Sequence, residues 1–417
     1  MCPLSPTARA LAALSLTQLI GWGATFWLPA VTGPAMAADL HIGLPMVMGG
    51  PTIMLVVMAL VSWPLSGIFE REGARPVMML GSCLGAAGLL LLSLAGGPVS
   101  YAFAWTVLGL AGATMLSTPA QIALAEIAGE RARQALGILI LAGGLTSTIV
   151  WPLSGLLQAH LGWRVTTAIY GALMLCVCLP LHFTALARRP REKSASKTRS
   201  KAAPLHLPSF VLLALSFAAN GFFTWGFALT IIILFERGGL DHTSALAAAA
   251  FIGIAQWAGR MIDFLGGRRW SGFVSGLFAA ALFPLSFVAL LVLSDFTGAM
   301  IFATLYGLAS GITAVTRATL PLQIFPVAAY ARASAQLAVP LNLSFAAAPP
   351  VFTAIMTSAG PHAALWLAFA ISIFACGTLF ALSLLHRHKG LDLPVANGTL
   401  PQRPVPEDRP MAQAKNL

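Results

Sequence analysis

The sequence predicts an all-α membrane protein of twelve transmembrane helices arranged as two pseudo-symmetric six-helix halves. Three observations lead there. Of the 417 residues, 58% are hydrophobic and 9% are charged, against roughly 25% charged in a soluble domain. So few charges cannot cover a water-soluble surface of this size, and the same composition excludes a disordered chain. Apolar runs of about 20 residues, the length that crosses a hydrocarbon core, recur twelve times. Lysine and arginine gather in alternate loops between those runs.

The first run, 10–33, exceeds the usual h-region of about 7–15 residues, so it is read as a retained span although Ala35-Met36-Ala37 looks like a cleavage site. The run 46–68 ends at Glu70-Arg71, and 76–95 follows Arg75 with Gly81 and Gly85 at the small-xxx-small spacing of helix packing. The runs 99–123, 135–158 and 163–186 complete the first half. The second half repeats the pattern over 210–235, 244–264, 271–293, 296–320, 333–357 and 362–386, with Gly272 and Gly276 in its third run. Backbone groups in lipid must be paired within the segment, so these runs are helices. The short alternating segments of a transmembrane barrel are absent.

Orientation follows from the basic residues. With the N-terminus inside, the inside loops hold 21 of the 24 Lys and Arg, and Arg260, Arg268 and Arg269 are counted among them. The outside holds Arg164 and Arg237, and Arg317 lies inside a span. The expected location is the inner (plasma) membrane, multi-pass, with both termini cytoplasmic. The net charge of +11 is then a topological signal and needs no nucleic acid.

The expected units are an N-terminal half (1–186), a basic linker (187–209), a C-terminal half (210–386) and a polar, Pro-rich tail (387–417). The linker carries Arg188, Arg189, Arg191, Lys193, Lys197, Arg199 and Lys201 and is read as a solvated connector that enforces topology. The halves echo one another. Gly109-Leu110-Ala111-Gly112 returns as Gly307-Leu308-Ala309-Ser310 at an offset of 198, and the same offset pairs Pro152 with Pro350 and Gly162 with Gly360. Parallel repeats of this kind are a transporter architecture.

After the second span come Glu70, Arg71, Gly73 and Arg75, and around the end of the eighth come Gly259, Asp263, Gly266, Gly267 and Arg268. This doubled loop signature resembles that of the major facilitator superfamily, and the resemblance covers all twelve spans. Ser66 replaces the leading Gly in the first copy, and Phe264 replaces the Arg in the second. The resemblance implies a twelve-helix fold and a cytoplasmic gate at Glu70, Arg71, Gly73, Arg75, Gly259, Asp263, Gly266 and Arg268. A carboxylate and an Arg at a helix–loop junction can pair with each other or with a neighbouring helix end. The antiporter branch carries Gly-Pro-x-x-Gly on its fifth span. Here Pro152 and Gly155 match, and Trp151 stands in place of the first Gly. The stretch from Gln18 to Gly23, with Arg317 to Leu322, resembles a common bacterial branch.

Polar residues in the spans keep helical spacing. Ser15, Gln18, Trp22 and Thr25 share a face of span 1, Thr114, Thr118 and Gln121 of span 4, Ser216, Asn220 and Thr224 of span 7, and Ser310, Thr313 and Arg317 of span 10. These are the helices that line the central cavity in the family resembled. Buried amides need partners, which singles out Gln18, Asn220, Gln256 and Asn342. Trp22, Phe26, Phe223 and Trp225 offer flat apolar walls or ordinary core packing. The expected solute contacts are Gln18, Trp22, Thr25, Phe26, Thr118, Asn220, Thr224, Trp225, Gln256, Arg317 and Asn342. Thr146, Ser147 and Thr148 are equally readable as back-bonds to their own helix.

Arg317 carries the sharpest expectation. A central Arg costs about 2.5–3.5 kcal/mol on insertion scales, and all 13 acids fall in loops or near span ends. A cation without a carboxylate partner invites an anionic ligand, and the alternative is snorkelling to the cytoplasmic interface. Histidines are no more central, with His160, His182 and His386 near span ends, so proton coupling has no obvious carrier. Cys176 and Cys178 point to nearly opposite helix faces, so no thiolate metal site is expected. No nucleotide-binding loop, zinc motif or nucleophile motif occurs. The expectation is a non-enzymatic secondary transporter of a small organic solute, with an anion among the candidates, and with no cofactor. Its partners are the solute, the lipid bilayer and an unidentified coupling ion, and its expected state is a monomer. A broad exporter of toxic compounds and a non-transporting membrane sensor stand as alternatives.

Overall fold

The computed structural model describes residues 5–187, 205–228, 230–266 and 270–388. Arg268, most of the basic linker and nearly all of the tail lie outside the described residues. Every regular element among the described residues is a helix.

Helix α1 (Pro6–Ala24) starts on Ser5, whose hydroxyl accepts the Ala8 N–H at 3.2 Å, with Pro6 in the first turn. The chain breaks at Thr25–Trp27 and resumes as α2 (Leu28–Asp39), completing span 1. A short α3 (Leu44–Met48) leads into α4 (Gly50–Glu72), and α5 (Ala74–Ser93) is span 3. Span 4 is α6 (Pro98–Met115) plus α7 (Ser117–Ala128), split at an extended Leu116. The split has a local cause: residue 119 is Pro, which has no N–H to offer the Met115 carbonyl four residues back.

Beyond a turn at Gly129–Arg131 come α8 (Ala132–Gly143) and α9 (Thr146–Leu173). Within α9, Gly162 adopts φ 74°, and its partner at the 198 offset, Gly360, adopts φ 86°. Both positions need a left-handed backbone that favours glycine. A π-turn at Met174–Cys178 and α10 (Leu179–Ala185) close the first half. The second half comprises α11 (Leu207–Ala228), α12 (Ile231–Arg237), α13 (His242–Gly266), α14 (Gly272–Val292), α15 (Phe296–Ile324), α16 (Val327–Ser358) and α17 (Pro361–His388). Among the described residues, ten stretches are long and apolar enough to cross a membrane, and one of them, Pro98–Ala185, is 88 residues long. A straight helix of that length would reach about 130 Å. The turns at Gly129–Arg131 and Gly162 divide it into three lengths matching spans 4, 5 and 6, consistent with twelve in all.

Lipid is as apolar as a leucine side chain, so close backbone approach and hydrogen bonds must hold the helices together. The internal repeat shows the close approach twice. A Cβ added at Gly109 would lie 3.0 Å from the Met54 carbonyl of α4, and one at Gly307 would lie 2.7 Å from the Ile252 carbonyl of α13. Residues 54 and 252 are themselves 198 apart, so the same sequence element makes the same contact in each half. Hydrogen bonds supply the rest. His182 is fully buried between α1, α5 and α10, bonded to Ser82 Oγ at 2.8 Å and Thr17 Oγ1 at 3.1 Å. Arg164 ties three segments by bonding Asp39 Oδ2 at 2.9 Å and the Ser93 carbonyl at 2.8 Å.

Between the halves, α4 runs along α16, α7 touches α16, and α8 packs against α13 and α15.

Candidate substrate cavity

A cavity of about 280 Å³ lies between the halves, walled by α1, α4, α7, α8 and the start of α9 from the first and by α11, α13, α15 and α16 from the second. Of the expected solute contacts, Gln18, Trp22, Phe26, Thr118, Trp225, Arg317 and Asn342 line it.

The break in span 1 builds one wall. Thr25 turns inward to its own helix, donating to the Gly21 carbonyl at 2.6 Å, and does not line the cavity. The break presents Phe26 edge-on to Trp225 across the halves, with ring centroids 4.7 Å apart. Trp225 in turn stacks on Phe345 at 4.3 Å and 19°. These rings form an aromatic layer built from the break in span 1, the last turn of α11 and the middle of α16.

The break in span 4 builds the next wall. The Met115 carbonyl left without a donor by Pro119 accepts the Gln18 Nε2–H at 2.8 Å. Trp22 donates its ring N–H to Ser117 Oγ at 3.0 Å, one residue beyond the break. Gln18 therefore ties α1 to the end of α6, and Trp22 ties it to the start of α7. The Gln18 Oε1 is buried without a hydrogen-bond partner, so this acceptor is what Gln18 retains for other use.

The third wall is cationic. Arg317 donates from Nη2 to Asn220 Oδ1 at 3.1 Å and lies 5.4 Å over the Phe345 ring. Its buried Nε has no partner. Asn220 does not line the main cavity; it positions Arg317 from behind, beside a small second cavity of about 20 Å³. Thr224 bonds back to the Asn220 carbonyl at 2.8 Å, and Gln256 ties α13 to α15 through Ser310 Oγ at 2.8 Å. Neither lines the cavity.

Arg260, counted among the loop cations from sequence, instead lines the cavity on α13. The signal was present: it falls inside the predicted span 244–264, one helical turn after Gln256. Its Nε is also buried without a partner. Among the described residues, the lining thus holds two guanidinium groups and no Asp, Glu or His. Thr146 lines it too, with its hydroxyl bonded back to the Gly143 carbonyl at 2.8 Å.

The expected gate residues lie toward the end of the bundle that carries Arg71 and Arg75, called the basic end below. Gly73, at φ 74°, ends α4, and the Ala74 N–H donates to Glu126 Oε2 at 3.3 Å. Arg75 reaches within its own half, donating to the Phe183 carbonyl at 2.6 Å and lying over its ring. Glu70 and Arg71 occupy the last turn of α4. Gly259 meets the Leu308 backbone, and Gly266 meets the Trp270 ring. Asp263 is buried, with Oδ1 unbonded, and interacts electrostatically with Arg133 of the opposite half.

Comparison with known proteins places this architecture. The human organic anion transporter MFSD10 (TETRAN), in its crystal structure, shares the fold with a TM-score of 0.67, covering 90% of this chain and 100% of that one at 16% identity. Monocarboxylate transporter 4 of Rattus norvegicus is 27% identical over 287 residues, 62% of this chain and 58% of that protein. The chain therefore spans somewhat more than half the length of that relative. An MFS-type transporter of Gibberella moniliformis (strain M3125 / FGSC 7600) is 22% identical over 345 residues, 82% of each chain. The model of the Major Facilitator Superfamily matches residues 14–259, more than half of the sequence. The chain belongs to the major facilitator superfamily.

Proposed function

We propose that the chain is a secondary transporter that carries a small organic anion across the inner membrane by alternating access. One observation carries this reading: Arg317 and Arg260 face a cavity whose lining holds no carboxylate. Removing two cations from water without counter-charges is unfavourable, and a bound anion supplies the missing charge. Its apolar part would lie against Trp22, Phe26, Trp225 and Phe345. A carboxylate attached to a compact apolar or aromatic body fits both walls. The names of the relatives point the same way, two of them being carriers of monocarboxylates and organic anions.

The packing between the halves supports alternating access. Toward the basic end, α8 closes on α13 and α15. On the other side, Phe26 meets Trp225 across the halves. The basic end would face the cytoplasm, as the Lys and Arg distribution requires.

The test is a thermal-shift series on purified protein with benzoate, benzamide and benzylamine, using wild type beside Arg317→Ala. A ligand of the folded state raises the melting temperature. Stabilisation by benzoate alone, lost in the variant, is the expected result. Equal stabilisation by all three compounds, unchanged in the variant, would replace this reading with a broad exporter whose aromatic walls do the binding.

A further inference from the structure

Four arginines among the described residues lie against main-chain carbonyls at or near helix ends. Arg75 donates to Phe183 near the end of α10, Arg164 to Ser93 at the end of α5, and Arg237 to Met356 near the end of α16. Each of these three stays within its own half, at 2.6–2.8 Å. Arg260 is different. From α13 in the second half, its Nη1 approaches the Ile140 carbonyl at the end of α8 in the first half, at 3.5 Å. That is a long contact, and the head group that makes it also faces the cavity.

The C-terminus of a helix carries partial negative charge from its unpaired carbonyls, and a cation there is favourable. The interruption after Gly143 supplies a helix end in the middle of span 5; the Ile140 carbonyl there already accepts the Gly144 N–H at 3.1 Å, so Arg260 is its second donor. Gly144 leaves room for the guanidinium: a Cβ at this position would collide with Arg260 Nη1. The contact continues toward the basic end as a stripe. Gly137 of α8 faces Phe264 of α13, with a Cβ there 3.2 Å from the ring, and Arg133 faces Asp263. Arg260 is therefore both the innermost rung of the α8–α13 closure and part of the cavity wall.

We infer that Arg260 couples cavity occupancy to opening: in the empty cavity it latches the α8 C-terminus across the halves, and an entering anion draws its guanidinium away and loosens the α8–α13 closure. The inference rests on the anion reading above. A full carboxylate charge is a stronger partner for a guanidinium than a helix end, so exchange from a long carbonyl contact to the anion is downhill. The other three arginines make short bonds within one half and line neither of the two cavities described, so they have no closure between the halves to release.

The experiment uses the full chain in lipid nanodiscs, native cysteines replaced, with nitroxide labels at Arg131→Cys and Leu265→Cys, both exposed at the basic ends of the two helices. Pulsed electron–electron resonance reads the distance between them without ligand and with benzoate, and calorimetry on the same samples reads benzoate binding. Benzoate is expected to populate a longer distance in the parent protein. Gly144→Ala, which displaces the guanidinium without removing its charge, is expected to raise the longer-distance population about fivefold with no ligand, the size of one cation on a helix end. Arg260→Ala should do the same and should no longer respond to benzoate.

Ligand-free distances unchanged in both variants would overturn the latch, whether or not anions bind. A benzoate response retained in Arg260→Ala would overturn the coupling. Failure of benzoate to bind the parent protein would count against the anion reading and the coupling together, and the ligand-free distances would still decide the latch.

Discussion

Replacing Arg317 with Ala separates a ligand-binding cation from a structural one. The guanidinium has five N–H donors. One is held by Asn220 Oδ1, and the Nε–H has no protein partner. A carboxylate approaching the Nε side can take two parallel bonds, each worth about 1.5–3 kcal/mol when charged. Such bonds are not additive, and truncating one partner of a buried charged pair costs about 2 kcal/mol or more, up to about 5; the lower part of that range applies where the cavity admits water to the vacated site. At about 1.4 kcal/mol per tenfold, Arg317→Ala should weaken benzoate binding about 30- to 1,000-fold. Arg317→Lys keeps the charge and loses the planar fork, so it should recover only part of that loss.

Stability should move the other way. An unpaired buried cation is a burden on the fold, and its contacts with Asn220 and the Phe345 ring offset only part of it. The melting temperature of Arg317→Ala without ligand should be unchanged or higher. Calorimetric titration with benzoate, beside a melting curve of the same preparation, reads both quantities. Unchanged affinity in Arg317→Ala refutes the reasoning. A sharp loss of stability with no loss of affinity would make Arg317 a structural residue.

Gln18→Leu should lower the melting temperature by the equivalent of about 1–3 kcal/mol, because it strands the buried Met115 carbonyl that Pro119 leaves without a donor. A melting temperature equal to wild type would mean that the carbonyl finds another partner. Gly311→Ala should separate α13 from α15, since its Cβ would run into the Gln256 carbonyl, at about 1–3 kcal/mol. Gly253→Ala, with nothing within 4 Å, is the neutral control, and equal thermal stability of the two variants would argue against this close approach.

Asp241, outside the spans, caps α13 by accepting the Ser244 N–H at 3.1 Å, and hydrogen bonds from Ser244 hold its carboxyl below the usual value. A depressed carboxyl stabilises above its unfolded value and loses that contribution as pH falls through its folded value. The first turn of α13 should therefore exchange its amides normally at neutral pH and faster, after correction for intrinsic rates, once the solution is more acidic than the carboxylate range. Asp241→Asn should remove that dependence, and a dependence that survives the substitution would point to another group.

The helical class was legible in the sequence because lipid imposes it locally: an apolar run of sufficient length has to satisfy its own backbone. The repeat was legible too, since the 198 offset that pairs Gly109 with Gly307 also pairs the carbonyls they approach. The face of each span follows from helical period, and Gln18, Trp22, Thr118 and Arg317, each on the polar face of its span, line one cavity.

Period gives a face, however, and says nothing about depth, rotation or the identity of the neighbour. Thr224 and Gln256 share their faces with cavity residues, yet their polar groups are taken up by the Asn220 carbonyl and Ser310. Asn220 faces the cation from behind instead of the solute. Arg260 was assigned to a loop by its charge, and only the packing of α13 on α8 turned it toward the cavity. Pro119 could be read from the chain, but the donor that answers the carbonyl it leaves open lies 97 residues away, on Gln18. Backbone and lipid are local constraints and leave their mark on local sequence. Which buried polar group meets which depends on how the helices are rotated against one another, and only the assembled bundle decides that.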